Sequence, residues 1–190
     1  MSDAPPVPPP RCDAAARRAI LREARRLGVP DDYGRRRALR IVREPDALQY
    51  IGTDVHDRPQ WLAPPAARAW RRMAAAAAAD GVVLQVVSAF RSAEYQLGIL
   101  RRKLEGGQTI DRILQVSAAP GYSEHHSGRV LDLTTPGYAA LEEDFERSAA
   151  FAWLQRHAAR YGFRLSYPRG NRHGIAYEPW HWCWHRSAAR

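Results

Sequence analysis

Apolar side chains recur at helical spacing in several segments and gather into short unbroken runs in others, and the two patterns predict different elements. Ile20, Leu21, Ala24 and Leu27 form the apolar stripe of an arginine-rich helix that Asp13 caps and Gly28 ends. A second helix starts at Pro64-Pro65, since proline suits a first turn. It runs through Trp70, Met73 and the alanines 74–79, and stops at Asp80-Gly81. Ser92 caps a third, Ala93 to Leu104, which ends at Gly106-Gly107, and a short helix follows from about Ile110 to Gln115. Ser148 caps the last, Ala149 to Tyr161, with Phe151, Trp153, Leu154, Ala158 and Tyr161 on its apolar face and Gly162 as its stop.

The β-branched run Val82 to Val87 predicts a buried strand, and Arg129 to Leu133 a strand that delivers Asp132. Phe163 to Tyr167 and Ile175 to Tyr177 predict a hairpin pair. Pro30 to Pro59 is turn-rich, with short extended runs such as Leu39 to Val42. Helices and strands do not alternate regularly, which predicts an α+β fold: a small, mostly antiparallel sheet packed by helices. The pattern divides the chain into a proline-rich tail over 1–12, an arginine-rich helical extension over 13–45 and the main domain over 46–190.

Composition changes this picture little. The chain has 190 residues, 45% of them apolar, enough for one domain with a proper core. Its formal charge is +9, and of its 29 basic residues only Lys103 is lysine, a skew expected of genome composition. The basicity alone suits nucleic acid, anionic lipid, an anionic cell-wall polymer or simply a solvated surface, and of these nucleic acid is not the expected partner. Cys12 and Cys183 are too few and too far apart for a disulfide-built fold, and Cys183 reads as a buried, inert thiol although its softness would suit zinc. No segment approaches the ~20 apolar residues of a membrane span, and no secretory signal is visible.

Candidate chemistry changes it more. Ser123-Glu124-His125-His126-Ser127-Gly128-Arg129-Val130-Leu131-Asp132 and Tyr177-Glu178-Pro179-Trp180-His181 together offer imidazoles, a carboxylate that could ligate and a second carboxylate beside a histidine. Three ligands, an open position and a non-ligating base make up a catalytic zinc site. Spacing alone leaves His125 and His126 equally placed to join Asp132, with His181 as the third ligand and Glu178 as the base.

Ser123 to Asp132 resembles the S-x-H-x-x-G-x-A-x-D signature of the VanY-type D-alanyl-D-alanine carboxypeptidases, and Glu178 to His181 resembles their E-x-W-H signature. Ser88-Ala89-Phe90-Arg91-Ser92 with Tyr95-Gln96 resembles their S-x-[YF]-R-S…Q segment, so that the likeness covers roughly residues 50–185. Val130 stands where the family has alanine, Cys183 where a basic residue is usual, and Arg172-His173-Gly174 departs from the usual Lys-and-Thr pattern.

The resemblance implies that His125, Asp132 and His181 hold Zn2+ at one face of the sheet. It implies Glu178 as the base and Arg91 as the stabiliser of the oxyanion, with Gln96 and Ser123 contacting the substrate's backbone or terminal carboxylate. Trp180 is expected to pack beneath the site. The implied partner is a peptidoglycan stem peptide ending in D-Ala-D-Ala, which favours the cell envelope as the place of action. The same residues would also serve a D,D-dipeptidase or a wall endopeptidase. A non-catalytic binding module of this fold would have no need of Glu178.

Overall fold

The computed structural model describes residues 6–186, so part of the tail predicted over 1–12 lies outside the described residues. Helix α1 (Ala14–Arg26) starts where the Asp13 carboxylate accepts the Ala16 N–H at 2.7 Å. The one-turn helix α2 (Tyr33–Arg36), the hairpin β1 (Gln49–Thr53) and β2 (Pro59–Leu62), α3 (Pro64–Ala79) and β3 (Gln85–Ser88) follow. Next come α4 (Ala93–Glu105), α5 (Ile110–Val116) and β4 (Val130–Thr134). The order closes with α6 (Ala149–His157), β5 (Phe163–Leu165) and β6 (His181–Trp184). Ser92 and Ser148 cap α4 and α6 through their hydroxyls, as their positions predict. No helix among the described residues is long and apolar enough to cross a membrane.

The main sheet has the order β3-β4-β6-β5 and is antiparallel throughout. Side chains alternate across its two faces. Leu131 and Leu133 of β4 and Trp182 of β6 enter a core with Trp70 and Met73 of α3 and Phe151 and Leu154 of α6. Asp132 and His181, one residue out of phase, therefore face the other way. A second core joins Ile20 and Ala24 of α1 to Leu97 and Leu100 of α4 and Ile113 and Leu114 of α5. The arginine-rich helix thus docks on the helix that carries Gln96.

The α+β class is as expected, but several elements differ from their predicted form. β5 stops at Leu165 and pairs with β6, not with residues 175–177, which form no strand. Pro168 supplies no N–H to continue the ladder. Ile175 is buried instead against Tyr167 and Ala118, and the Ala176 N–H donates to the Gln115 carbonyl at 2.7 Å. The strand expected from Val82 begins only at Gln85, because the Val82 N–H is still bound to the Ala77 carbonyl at the end of α3. α6 ends at His157 and tightens into a 3₁₀ turn, Ala158–Tyr161, before Gly162. Leu39 to Val42 forms no strand.

The β1–β2 hairpin is an element the pattern does not announce. The buried Asp54 carboxylate closes its turn, accepting the His56 N–H at 2.8 Å, the Arg58 N–H at 3.0 Å, Arg58 Nε at 2.8 Å and Gln60 Nε2 at 2.9 Å. Gln60 Oε1 in turn accepts the Ala89 N–H at 2.9 Å, which ties the hairpin to the loop after β3.

Candidate metal centre

The β4–β6 register sets Asp132 directly opposite His181. His125 reaches the same point from the 3₁₀ turn Glu124–Ser127, which ends at Gly128 in a left-handed conformation (φ 63°). A Cβ at that glycine would lie 2.9 Å from the Ala63 nitrogen, which donates to the Gly128 carbonyl at 2.8 Å. Only glycine combines that φ with so close a backbone approach. His125 Nε2 lies 3.2 Å from Asp132 Oδ2, and His181 Nδ1 lies 3.1 Å from Asp132 Oδ1. One ligand atom from each of the three residues falls within 4.8 Å of the other two, and all three residues are buried.

The hydrogen bonds decide which ring nitrogens face the centre. His125 Nδ1 is 2.6 Å from the Ala89 carbonyl and donates to it, so Nε2 carries the lone pair, and this buried atom has no hydrogen-bond partner. His181 Nε2 is 3.0 Å from Glu124 Oε2, which leaves Nδ1 facing Asp132. His126, equal to His125 on spacing, is fully used elsewhere. Its Nε2 accepts the Gly121 N–H at 3.1 Å and its Nδ1 donates to the Arg91 carbonyl at 2.7 Å. His126 holds the backbone of Arg91 and has no nitrogen left for a metal.

The site's electrostatics call for a cation. Burial opposes a charge on His181, but hydrogen bonds to Asp132 and Glu124, with the Glu178 charge nearby, lift its pKa to about 10. Burial also works against ionised Glu124, and the contact with His181 outweighs it, bringing that carboxyl to about 2. Asp132 is likewise held ionised against its burial, chiefly by His125. For His125 burial wins, followed by the Arg91 charge, and its pKa falls to about 4, leaving a neutral imidazole. Neutral His125 offers its Nε2 lone pair and Asp132 an ionised oxygen, and the Asp132, Glu124 and Glu178 carboxylates that favour a proton on His181 equally favour a cation in its place at Nδ1, so the three residues fit zinc.

Around this centre lies a cavity of about 490 Å³, whose walls include Arg91, Gln96, Ser123, Tyr167, Glu178 and Trp180. Glu178 Oε2 stands 3.3 Å from His181 Nδ1, and burial raises its pKa to about 7 against the pull of His181. Arg91 Nη2 lies 3.2 Å from Asp132 Oδ2. Gln96 is buried, and its Nε2 donates to Ser117 Oγ at 2.9 Å and to the Ala118 carbonyl at 3.0 Å. Both amide hydrogens are therefore committed. The remaining Oε1 accepts a long bond from Arg91 Nη1 at 3.5 Å and, as an acceptor with a second lone pair, suits a substrate N–H and not a carboxylate. Ser123 is buried at the head of the 3₁₀ turn, and its hydroxyl makes no capping bond. Cys183 is buried and outside the ligand group, and burial keeps its thiol protonated.

Two residues at the site carry no sequence-level expectation. Glu124, the partner of His181, sits in an unspecified position of the signature. Tyr167 packs its ring against that of His181, centroids 4.6 Å apart and planes tilted by 44°, and belongs to a segment read only as strand. Nothing in residue type or spacing marks either one, since both act through a residue distant in the chain.

The bifunctional D-Ala-D-Ala dipeptidase and carboxypeptidase VanXYC of Enterococcus gallinarum is 31% identical over 152 residues, 75% of this chain and 76% of that one. YodJ of Bacillus subtilis (strain 168) is 35% identical over 122 residues, 61% of this chain, and the match spans only 43% of YodJ's length. Among solved structures, the LdcB LD-carboxypeptidase superposes with a TM-score of 0.67 at 29% identity, covering 74% of this chain and 69% of its own. The zinc complex of a VanY D,D-pentapeptidase shares the fold, with a TM-score of 0.57 at 23% identity over 77% of this chain and 84% of its own. The run from the second hairpin strand through β6 that builds the site is the run that the family model VanY, D-alanyl-D-alanine carboxypeptidase, matches at residues 59–187, and the chain belongs to that family.

Proposed function

We propose that this chain is a zinc-dependent D,D-carboxypeptidase that hydrolyses the terminal D-Ala from a peptidoglycan stem peptide, in the cell envelope where such peptides occur. The observation that carries this reading is Glu178, a buried carboxylate at the cavity wall, 3.3 Å from a candidate ligand yet outside the three-residue ligand group. A binding module needs no such base.

His125, Asp132 and His181 would hold the ion, and zinc, when bound, supplies a Lewis acid that polarises a carbonyl and brings the pKa of water to ~7. Glu178 takes a proton from the attacking water and later returns it to the leaving amine nitrogen as the C–N bond breaks. Arg91, held from behind through His126, directs its guanidinium to the oxygen that gains negative charge. Gln96 Oε1 accepts a backbone N–H of the substrate, and the Ser123 hydroxyl completes its hold on the reacting end.

Glu178→Gln tests the reading. Metal content should remain near one ion per chain, while D-Ala release from a stem pentapeptide falls by ~10²–10⁴-fold. Full activity with the metal in place rejects it. The likeness to LdcB favours one other bond, the L,D bond of a tetrapeptide. Release of D-Ala from the tetrapeptide and not from the pentapeptide would select that activity.

A further inference from the structure

Lys103 is the sole lysine of the chain, and it lines the same cavity as Arg91, Gln96 and Glu178. Gln96, Ile99 and Lys103 are spaced by three and four residues, so they share the face of α4 that forms this wall. Lys103 is half-buried, and its ammonium has no hydrogen-bonded partner among the described residues. Burial, then the Arg91 charge, push its pKa down, and Glu178 raises it from a distance. Glu142 and Glu143 line the same cavity without reaching it, and Glu143 is bound to Arg169 at 3.2 Å. An ammonium partly removed from water and left without a counter-ion is costly, and an anion entering the cavity relieves that cost.

Position along α4 indicates which anion. Seven residues of helix rise about 10 Å, so the backbone of Lys103 lies about two turns along the wall from that of Gln96. One extended residue spans about 3.5 Å, and a long side chain reaches several more. A carboxylate at the end of a long side chain, on the residue before D-Ala-D-Ala, covers that distance.

We infer that Lys103 is a specificity-determining, substrate-binding residue, pairing with a side-chain carboxylate on the third residue from the substrate's C-terminus. This rests on the hydrolase reading above, which puts the reacting D-Ala-D-Ala bond at the Glu178 end of the cavity. The cavity then selects an acidic third residue such as diaminopimelate over lysine, which differs from it by that one carboxylate.

The test separates binding from turnover. Zinc-loaded Glu178→Gln protein is titrated by calorimetry with two pentapeptides that carry diaminopimelate or lysine before D-Ala-D-Ala. The diaminopimelate peptide is expected to bind about tenfold more tightly. Lys103→Met in the same background should bring the two dissociation constants within about twofold of each other, and Lys103→Arg should restore the preference. Equal affinities in the parent, a preference that survives Lys103→Met, or an equal loss for both peptides would overturn the inference. D-Ala release by the wild-type holoenzyme is measured alongside. No release, with the Lys103-dependent preference present, removes the proposed activity and leaves the role of Lys103 standing.

Discussion

Glu124 Oε2 lies 3.0 Å from His181 Nε2, and the contact joins the 3₁₀ turn to β6. The carboxylate holds the Nε2–H and so turns Nδ1 toward Asp132 and His125. On the other side of the centre, the Ala89 carbonyl does the same for His125. Each histidine is thus oriented by its second nitrogen, one by a side chain and one by backbone.

Glu124→Gln keeps the shape and a hydrogen bond but removes the charge. Zinc affinity should fall by ~10–100-fold in chelator competition, as is typical for loss of an outer-sphere carboxylate. Unchanged affinity would show that Glu124 does not orient the ligand.

The two adjacent histidines should separate cleanly. His125→Ala is expected to lose metal binding in elemental analysis. His126→Leu should retain close to one zinc per chain but lose about 1–3 kcal/mol of stability in urea unfolding, because the Gly121 N–H and the Arg91 carbonyl become buried and unpartnered. Metal loss in the second variant alone would reverse the assignment.

Asp54 gives a pH dependence away from the metal. Burial raises its pKa, but the hydrogen bonds from the Arg58 and His56 N–H groups and from the Arg58 side chain outweigh this and hold it below the ordinary value. A depressed folded-state pKa contributes stability above the unfolded value of ~3.9, and that contribution is lost as pH falls through the folded value. Wild type should therefore lose more stability than Asp54→Asn between about pH 5 and pH 2, with the two curves converging at the acid end. Parallel curves in denaturant melts would refute the role of Asp54.

Gly128→Ala should be destabilising by about 1–3 kcal/mol, from the left-handed φ of 63° and a Cβ 2.9 Å from the Ala63 nitrogen. Thermal unfolding of the metal-free protein measures this directly, and a shift in melting temperature smaller than about 2 °C would contradict it.

Much of the helical framework was legible because helix periodicity and caps are local. Asp13, Ser92 and Ser148 start their helices through bonds only three residues long. Strand pairing was less legible. The run from 175 to 177 reads as the partner of β5, yet the run from 181 holds that place, and what separates them is Pro168 and the burial of Ile175 against Ala118. The β1–β2 hairpin depends on four hydrogen bonds to one aspartate, a count that no periodicity records.

The amino-acid order alone determined the inventory: two clusters with the residue types for a metal, a base and an oxyanion partner, carried on a helix-rich chain whose apolar stripes demanded a common core. Residue type and short-range spacing are properties of the chain itself. Tertiary structure decided how that inventory is used. Antiparallel register set Asp132 against His181, hydrogen bonds from distant segments left His125 free and occupied His126, and folding brought Glu124 against a ring 57 positions away. These choices depend on which groups meet after the chain has closed on itself, and long-range closure leaves no mark on local sequence.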